Sequence, residues 1–156
     1  MKHPPDRRGM LLTMVALACS GSACSREGTM DLLDLTPAGG EPLRERGAFE
    51  LALQQCEQNV LRLLGAGSGK HPDLRRYRLP AQTDWPAVTT FYASKLDAAW
   101  RRSEVPEQQL GYRLRAWQRE QAIGAQRFVV ALLDQTGVGS DDARPFRMLV
   151  VAAEPR

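Results

Sequence analysis

The side chains able to do acid–base, nucleophilic or ligand chemistry are few and scattered. There are two histidines, His3 and His71. His71 lies three places after Ser68 in the glycine-rich stretch GAGSGKHPD, residues 65–73. A serine hydrolase would have to use that pair, but no G-x-S-x-G elbow presents the hydroxyl. A phosphate-binding loop needs Gly five places before Gly69-Lys70 and Ser or Thr after it. Leu64 and His71 stand there instead. Asp141-Asp142, in GSDDARP, offer oxygen ligands for a hard cation. The alternating ligands and distal Glu of a calcium loop do not follow. Two histidines and three scattered cysteines do not have zinc spacing. These positions read as solvated loops, and neither a metal nor a cofactor is expected.

The most suggestive constellation is Arg113, Arg115, Trp117 and Arg119. Alternation at period two puts all four on one face of one strand. Guanidinium over indole is a favourable cation–π arrangement, and Arg with Trp is common chemistry at partner-binding surfaces. Arg75, Arg76 and Arg78 would extend the row if their strand pairs nearby. The plainer reading is a wet sheet face whose Arg stems cover apolar surface.

The chain has 156 residues, 43% apolar and 25% charged. That suffices for one core and is short for two. The net charge is +3 and the pI is near 9.0, which at face value suggests an anionic partner. Much of that charge is local. Residues 1–9 carry Lys2, Arg7 and Arg8 against Asp6, and the uncharged run MLLTMVALA follows at residues 10–18. Nine such residues are too short to span ~30 Å of hydrocarbon. A positive start, a short apolar run and small residues after it define a secretory signal peptide. Removing residues 1–18 leaves 18 basic and 17 acidic residues, close to neutrality, and leaves His71 as the only histidine.

Ala16-Leu17-Ala18-Cys19 resembles the lipobox of bacterial lipoproteins, in which the Cys becomes the acylated first residue of the mature chain. That family usually has Leu where Ala16 stands. Gly21-Ser22-Ala23-Cys24 is a poorer second match. The resemblance implies export and lipid attachment at Cys19. Ser20, rather than Asp, implies the outer membrane over the inner one. With Cys19 modified, Cys24 and Cys56 remain as an even pair in an oxidising compartment and could form one disulfide. Cys56 as a small buried apolar residue is the alternative.

Beyond the leader, residues 19–42 are rich in Gly, Ser, Thr and Pro and read as a tether. Met30, Leu32, Leu33 and Leu35 give it an apolar patch that should dock on the body. Residues 43–156 are expected to form a single domain. A helix is predicted from Leu43 to Leu64, with Pro42 in its first turn and Gly65 at its stop. Phe49, Ala52, Leu53, Cys56, Val60, Leu63 and Leu64 make its apolar stripe. LRRYRLPA, residues 74–81, reads as a short strand ended by Pro80. A second helix is predicted from Trp85 to Arg102, capped by Asp84 or Thr83, with Arg101 and Arg102 favouring its negative pole. Tyr112–Arg119, Arg127–Leu133 and Phe146–Ala153 then read as three strands of a meander. The expected class is α+β, with two amphipathic helices packed on one face of a small antiparallel sheet.

WPAVTTFYASKLDAAW followed by three strands resembles a module of small bacterial envelope proteins, in which an FY-x-x-x-L helix ends near a Trp and packs on a β-meander. Phe91, Tyr92, Leu96 and Trp100 match, while Ala99 replaces the usual Gly. This resemblance implies a fold and a location, with no catalytic residues.

The expected function is therefore that of an exported, lipid-anchored, non-enzymatic binding or accessory domain. Its partners would be the membrane, through the acyl anchor, and an envelope protein or anionic polymer, rather than nucleic acid. The alternatives are a periplasmic inhibitor or immunity protein that neutralises a toxin or hydrolase, and a small hydrolase.

Overall fold

The computed structural model describes residues 32–43, 49–65, 71–122, 124–138 and 144–154. The elements run β1 (Glu41–Pro42), α1 (Glu50–Leu63), β2 (Asp73–Pro80), α2 (Trp85–Ala93), β3 (Arg101–Arg102), β4 (Tyr112–Glu120), β5 (Ala125–Val138) and β6 (Pro145–Ala153). The class is α+β. One six-stranded sheet, ordered β1-β2-β6-β5-β4-β3, is antiparallel at every pairing.

Helix α1 forms where the apolar steps of three and four predict it. Leu53, Cys56 and Val60 are buried, as are Phe49 and Leu64 at its ends. Gly65, at φ 68°, leaves the helix through the left-handed region, which costs glycine little. The start differs from expectation. Pro42 lies in edge strand β1 rather than in the first helical turn, and Leu43 donates its N–H to the Arg76 carbonyl at 2.8 Å. Residues 44–48 lie outside the described residues.

Helix α2 starts as predicted, with Asp84 accepting from the Ala87 N–H at 2.8 Å. It ends nine residues before the expected position, and two side chains explain the stop. Ser94 Oγ donates to the Phe91 carbonyl at 2.7 Å, and Asp97 accepts from the Ala99 N–H at 2.8 Å. Both offer the backbone local partners that compete with helical bonds. Arg101 and Arg102 therefore sit in edge strand β3, paired with Gln118 and Trp117. They do not terminate a helix.

The β4–β5–β6 meander forms as expected. Its alternation sorts the core into two layers. Leu114, Val129, Ala131, Met148 and Val150 face α1. Trp117, Phe128, Val130, Leu149 and Val151 face α2. Period two makes these opposite faces of the sheet. The two helices thus sandwich the sheet, and the expectation that they share a face is corrected. The continuous run FVVALL is the physical reason: a central strand apolar on both sides needs cover on both.

The segment before β1 belongs to this packing. Leu33 is fully buried in the α2 layer, with Leu32 partly buried beside it. Tyr77 donates its hydroxyl to the Leu33 carbonyl, and Tyr92 donates to the Leu35 carbonyl at 2.7 Å. Leu32 and Leu33 of the tether's apolar patch thus pack on the body and Leu35 is held through its carbonyl, while Met30 lies outside the described residues. Among the described residues no helix is long and apolar enough to cross a membrane.

Candidate partner-binding face

Strand β4 places Arg113, Arg115, Trp117 and Arg119 on its α2 side, because Trp117 of that alternating set packs in the α2 layer. The four do not make the open stripe that spacing suggested. Trp117 is 6% exposed and lies against Phe128, with ring centroids 5.8 Å apart. The indole is core because α2 covers the middle of this face. The arginines remain nearer the rim, and each has a carboxylate neighbour: Arg113 with Asp134 at 3.9 Å, Arg115 with Glu107, and Arg119 with Asp97 at 3.6 Å.

Glu107 is the organising residue. Its backbone carbonyl accepts from the Leu114 N–H at 2.8 Å, which fixes it beside β4. Its carboxylate accepts from Arg115 Nε at 2.6 Å, from Arg102 at 2.8 Å and from the Trp85 indole N–H at 3.2 Å. Partial burial works to raise the Glu107 pKa. Hydrogen bonds from Arg115 and Trp85, with the charges of Arg115 and Arg102, outweigh it and hold the carboxyl below its ordinary value.

Two of the arginines make cation–π contacts, but with rings other than Trp117. The Arg115 guanidinium lies over Trp85, 5.8 Å from the centroid, and Arg119 over Trp100 at 5.0 Å. Arg119 also donates to the buried Gln126 at 2.7 Å. The result is two Arg–Trp pairs at the β4–β3 side of the sheet, each tied to an acid. Trp85 is only 5% exposed, so the first pair shows its guanidinium more than its ring, while Arg115, Arg119 and Trp100 are each part-exposed. Sequence reasoning missed Glu107 because a single carboxylate in a loop has no periodicity. Trp85 and Trp100 fall at the two ends of the predicted second helix, and their spacing gives no link to arginines on a separate strand.

Arg75, Arg76 and Arg78 do not extend this array. Strands β6 and β5 separate β2 from β4, a distance of roughly 14 Å at ~4.8 Å per strand. Arg76 pairs with Glu57 of α1, Arg78 lies over the Phe146 ring at 4.7 Å, and Arg75 neighbours Asp34 at 3.8 Å.

His71 is exposed just before β2. Ser68, Asp141 and Asp142 lie outside the described residues, as do Cys19 and Cys24. Among the described residues Cys56 has no disulfide partner, and its side chain is fully buried on α1. Burial, reinforced by the negative charge of Glu57, pushes that thiol up to about 12. Among the described residues no three His, Cys, Asp or Glu side chains gather as metal ligands. Comparison with protein-family models, with curated proteins and with solved structures finds no match.

Proposed function

We propose that this chain is an exported lipoprotein of the bacterial envelope whose domain acts as a non-enzymatic binding module. In this reading residues 1–18 are removed and Cys19 is acylated. Residues 20–31 link the anchor to the body, and Ser20 sends the protein to the outer membrane. The Arg115–Trp85 and Arg119–Trp100 pairs at the sheet's β4–β3 side then meet an envelope protein or anionic polymer. One observation carries the reading: a basic leader, a short uncharged run and Ala-Leu-Ala-Cys19 stand directly ahead of a segment whose Leu33 is buried in a folded domain. That is the order an anchored module requires. Several acyl chains hold firmly because each buried methylene contributes ~0.8 kcal/mol. The test is intact mass of the protein recovered from membranes. Acylated Cys19 as the first residue supports the reading. An unmodified chain beginning elsewhere overturns it.

A further inference from the structure

Opposite the Arg–Trp pairs, on the α1 side of the sheet, lies a groove of about 450 Å³, within the ~300–1,000 Å³ range of small-ligand sites. Its floor and one wall come from α1. Gln55, Gln58, Asn59 and Arg62 recur at steps of three, one and three, which puts all four on one helical face. The other wall is Gln109, Leu110 and the Tyr112 ring edge.

Three features distinguish this groove from an ordinary wet helix face. Its lining is planar and neutral apart from one guanidinium, and none of the residues lining it is a carboxylate. Part of it is held in place: Asn59 Nδ2 donates to the Tyr112 hydroxyl at 2.9 Å, and Arg62 donates to Asn59 Oδ1 at 2.6 Å. Gln109 Nε2 donates to the Pro106 carbonyl at 2.6 Å, which leaves its Oε1 as an acceptor. Finally, Leu110 is 87% exposed, the most exposed large apolar side chain among the described residues, and it stands on this polar site.

We propose that the groove binds a neutral amino sugar carrying an acetamido group. In a trans acetamido group the C=O and N–H point in opposite directions, so of the exposed carboxamides at Gln55 and Gln58, one turn apart, one can donate to the acetamido C=O while the other accepts from its N–H. The Arg62 fork suits vicinal hydroxyls, and Leu110 offers apolar contact to the methyl or the C–H face of the ring. An extended peptide is disfavoured by the backbone here. The β4 edge that it would pair with is already occupied, by Gln109 donating to the Tyr112 carbonyl at 2.9 Å and by the Gln108–Arg113 bridge. The inference rests on the groove alone, so an unlipidated or unexported chain leaves it intact.

The test is calorimetric titration of the full-length chain, extracted in a polyoxyethylene detergent, with three probes: an N-acetylglucosamine tetramer, a glucose tetramer of the same linkage and tetra-alanine. The acetamido sugar should bind about fivefold or more tightly than the glucose oligomer, and the peptide should not bind. Gln58→Ala and Leu110→Ser should each weaken that binding about five- to tenfold, the effect of losing one or two neutral contacts. Both side chains are exposed, so the urea unfolding midpoint should stay unchanged and exclude misfolding as the cause. No heat from either sugar at millimolar concentration, sugar binding unaltered in both variants, or preference for tetra-alanine would each overturn the proposal.

Discussion

Arg115 Nε and the Glu107 carboxylate meet at 2.6 Å, and the same carboxylate takes the Trp85 indole N–H and an Arg102 donor. One acid thus fixes two cations and a ring from three separate segments: β4, β3 and the first turn of α2. The guanidinium above Trp85 is held by this arrangement. Ordering of this kind lowers the entropy lost when a partner docks.

Replacing Glu107 should therefore loosen the array more than a single surface acid would. Glu107→Gln keeps the size and removes the charge shared by Arg102 and Arg115. A loss of about 1 kcal/mol is expected in urea unfolding at pH 7, the scale of charge-assisted bonds in a partly exposed setting. Indole fluorescence from Trp85 should shift as well. An unfolding midpoint and emission maximum identical to the parent's would show that the contacts are incidental.

The pH dependence follows from the same carboxyl. Its folded pKa lies below the ordinary value. Its contribution is therefore fully present above the unfolded carboxylate pKa of ~4.3, and it is lost as pH falls through the folded value. The parent–Glu107→Gln stability difference should be constant from pH 8 to about pH 6 and shrink toward zero below pH 4. A difference that grows on acidification would contradict the assignment.

Gly137 and Phe49 make a second, structural pair. A Cβ at Gly137 would lie 2.1 Å from the Phe49 ring, which in turn meets Phe146 edge-on at 5.5 Å. Gly137→Ala should cost about 2–3 kcal/mol, the upper range for overpacking a core. Phe49→Leu should cost less in the Gly137→Ala background than in the parent, because it vacates the contested space. A double-mutant cycle from urea unfolding measures that coupling, and simple additivity would argue against the contact.

How much of this was readable from residue order depends on periodicity. Phe49, Leu53, Cys56, Val60 and Leu64 of the α1 stripe repeat at helical steps, and they are buried as read. The Asp84 cap is a local signal and it holds. The β4 alternation assigned residues to faces correctly but read the Arg113–Arg119 face as wet, whereas Trp117 in its middle is buried. That depends on where α2 lands, a long-range matter. FVVALL carried the clue, since a run apolar at every position requires cover on both sides. The early end of α2 turned on Ser94 and Asp97 bonding to nearby backbone, a choice that competes closely with one more helical turn. Glu107 had no pattern at all. Its role exists only because the 103–109 segment lies along β4.

Cys56 gives a prediction about reactivity. Thiolate, not thiol, attacks disulfide reagents. With its pKa pushed up to about 12, roughly one Cys56 in ten thousand is ionised at pH 8, and the side chain is fully buried besides. In the native mature protein Cys56 should resist an aromatic disulfide reagent for hours and react at once in urea. Rapid native labelling of Cys56, located by peptide mass, would mean that α1 opens readily. If Cys24 and Cys56 are joined instead, no thiol appears in urea until a reductant is added.

The anchor can be tested without knowing the partner. Cys19→Ala removes the proposed acylation site and leaves residues 32–154 untouched, including Leu33 and the Tyr92 contact to Leu35 that seat the tether on the domain. The parent should incorporate labelled palmitate and fractionate with outer membranes. The variant should take up no label. If the leader is still cleaved near Ala18, the variant should appear in the soluble periplasmic fraction. If cleavage needs the Cys, the uncut leader should hold the variant in the inner membrane, at a mass higher by residues 1–18. Either outcome moves the protein away from the outer membrane. Unchanged fractionation together with unchanged labelling would place the lipid on Cys24, and Cys24→Ala would then reproduce the loss. Full labelling and unchanged fractionation in the double variant would remove lipid attachment at both cysteines from the reading. The domain would then need some other route to a membrane, and the Arg–Trp pairs at the β4–β3 side, with their fixed cations, are the surface to substitute next.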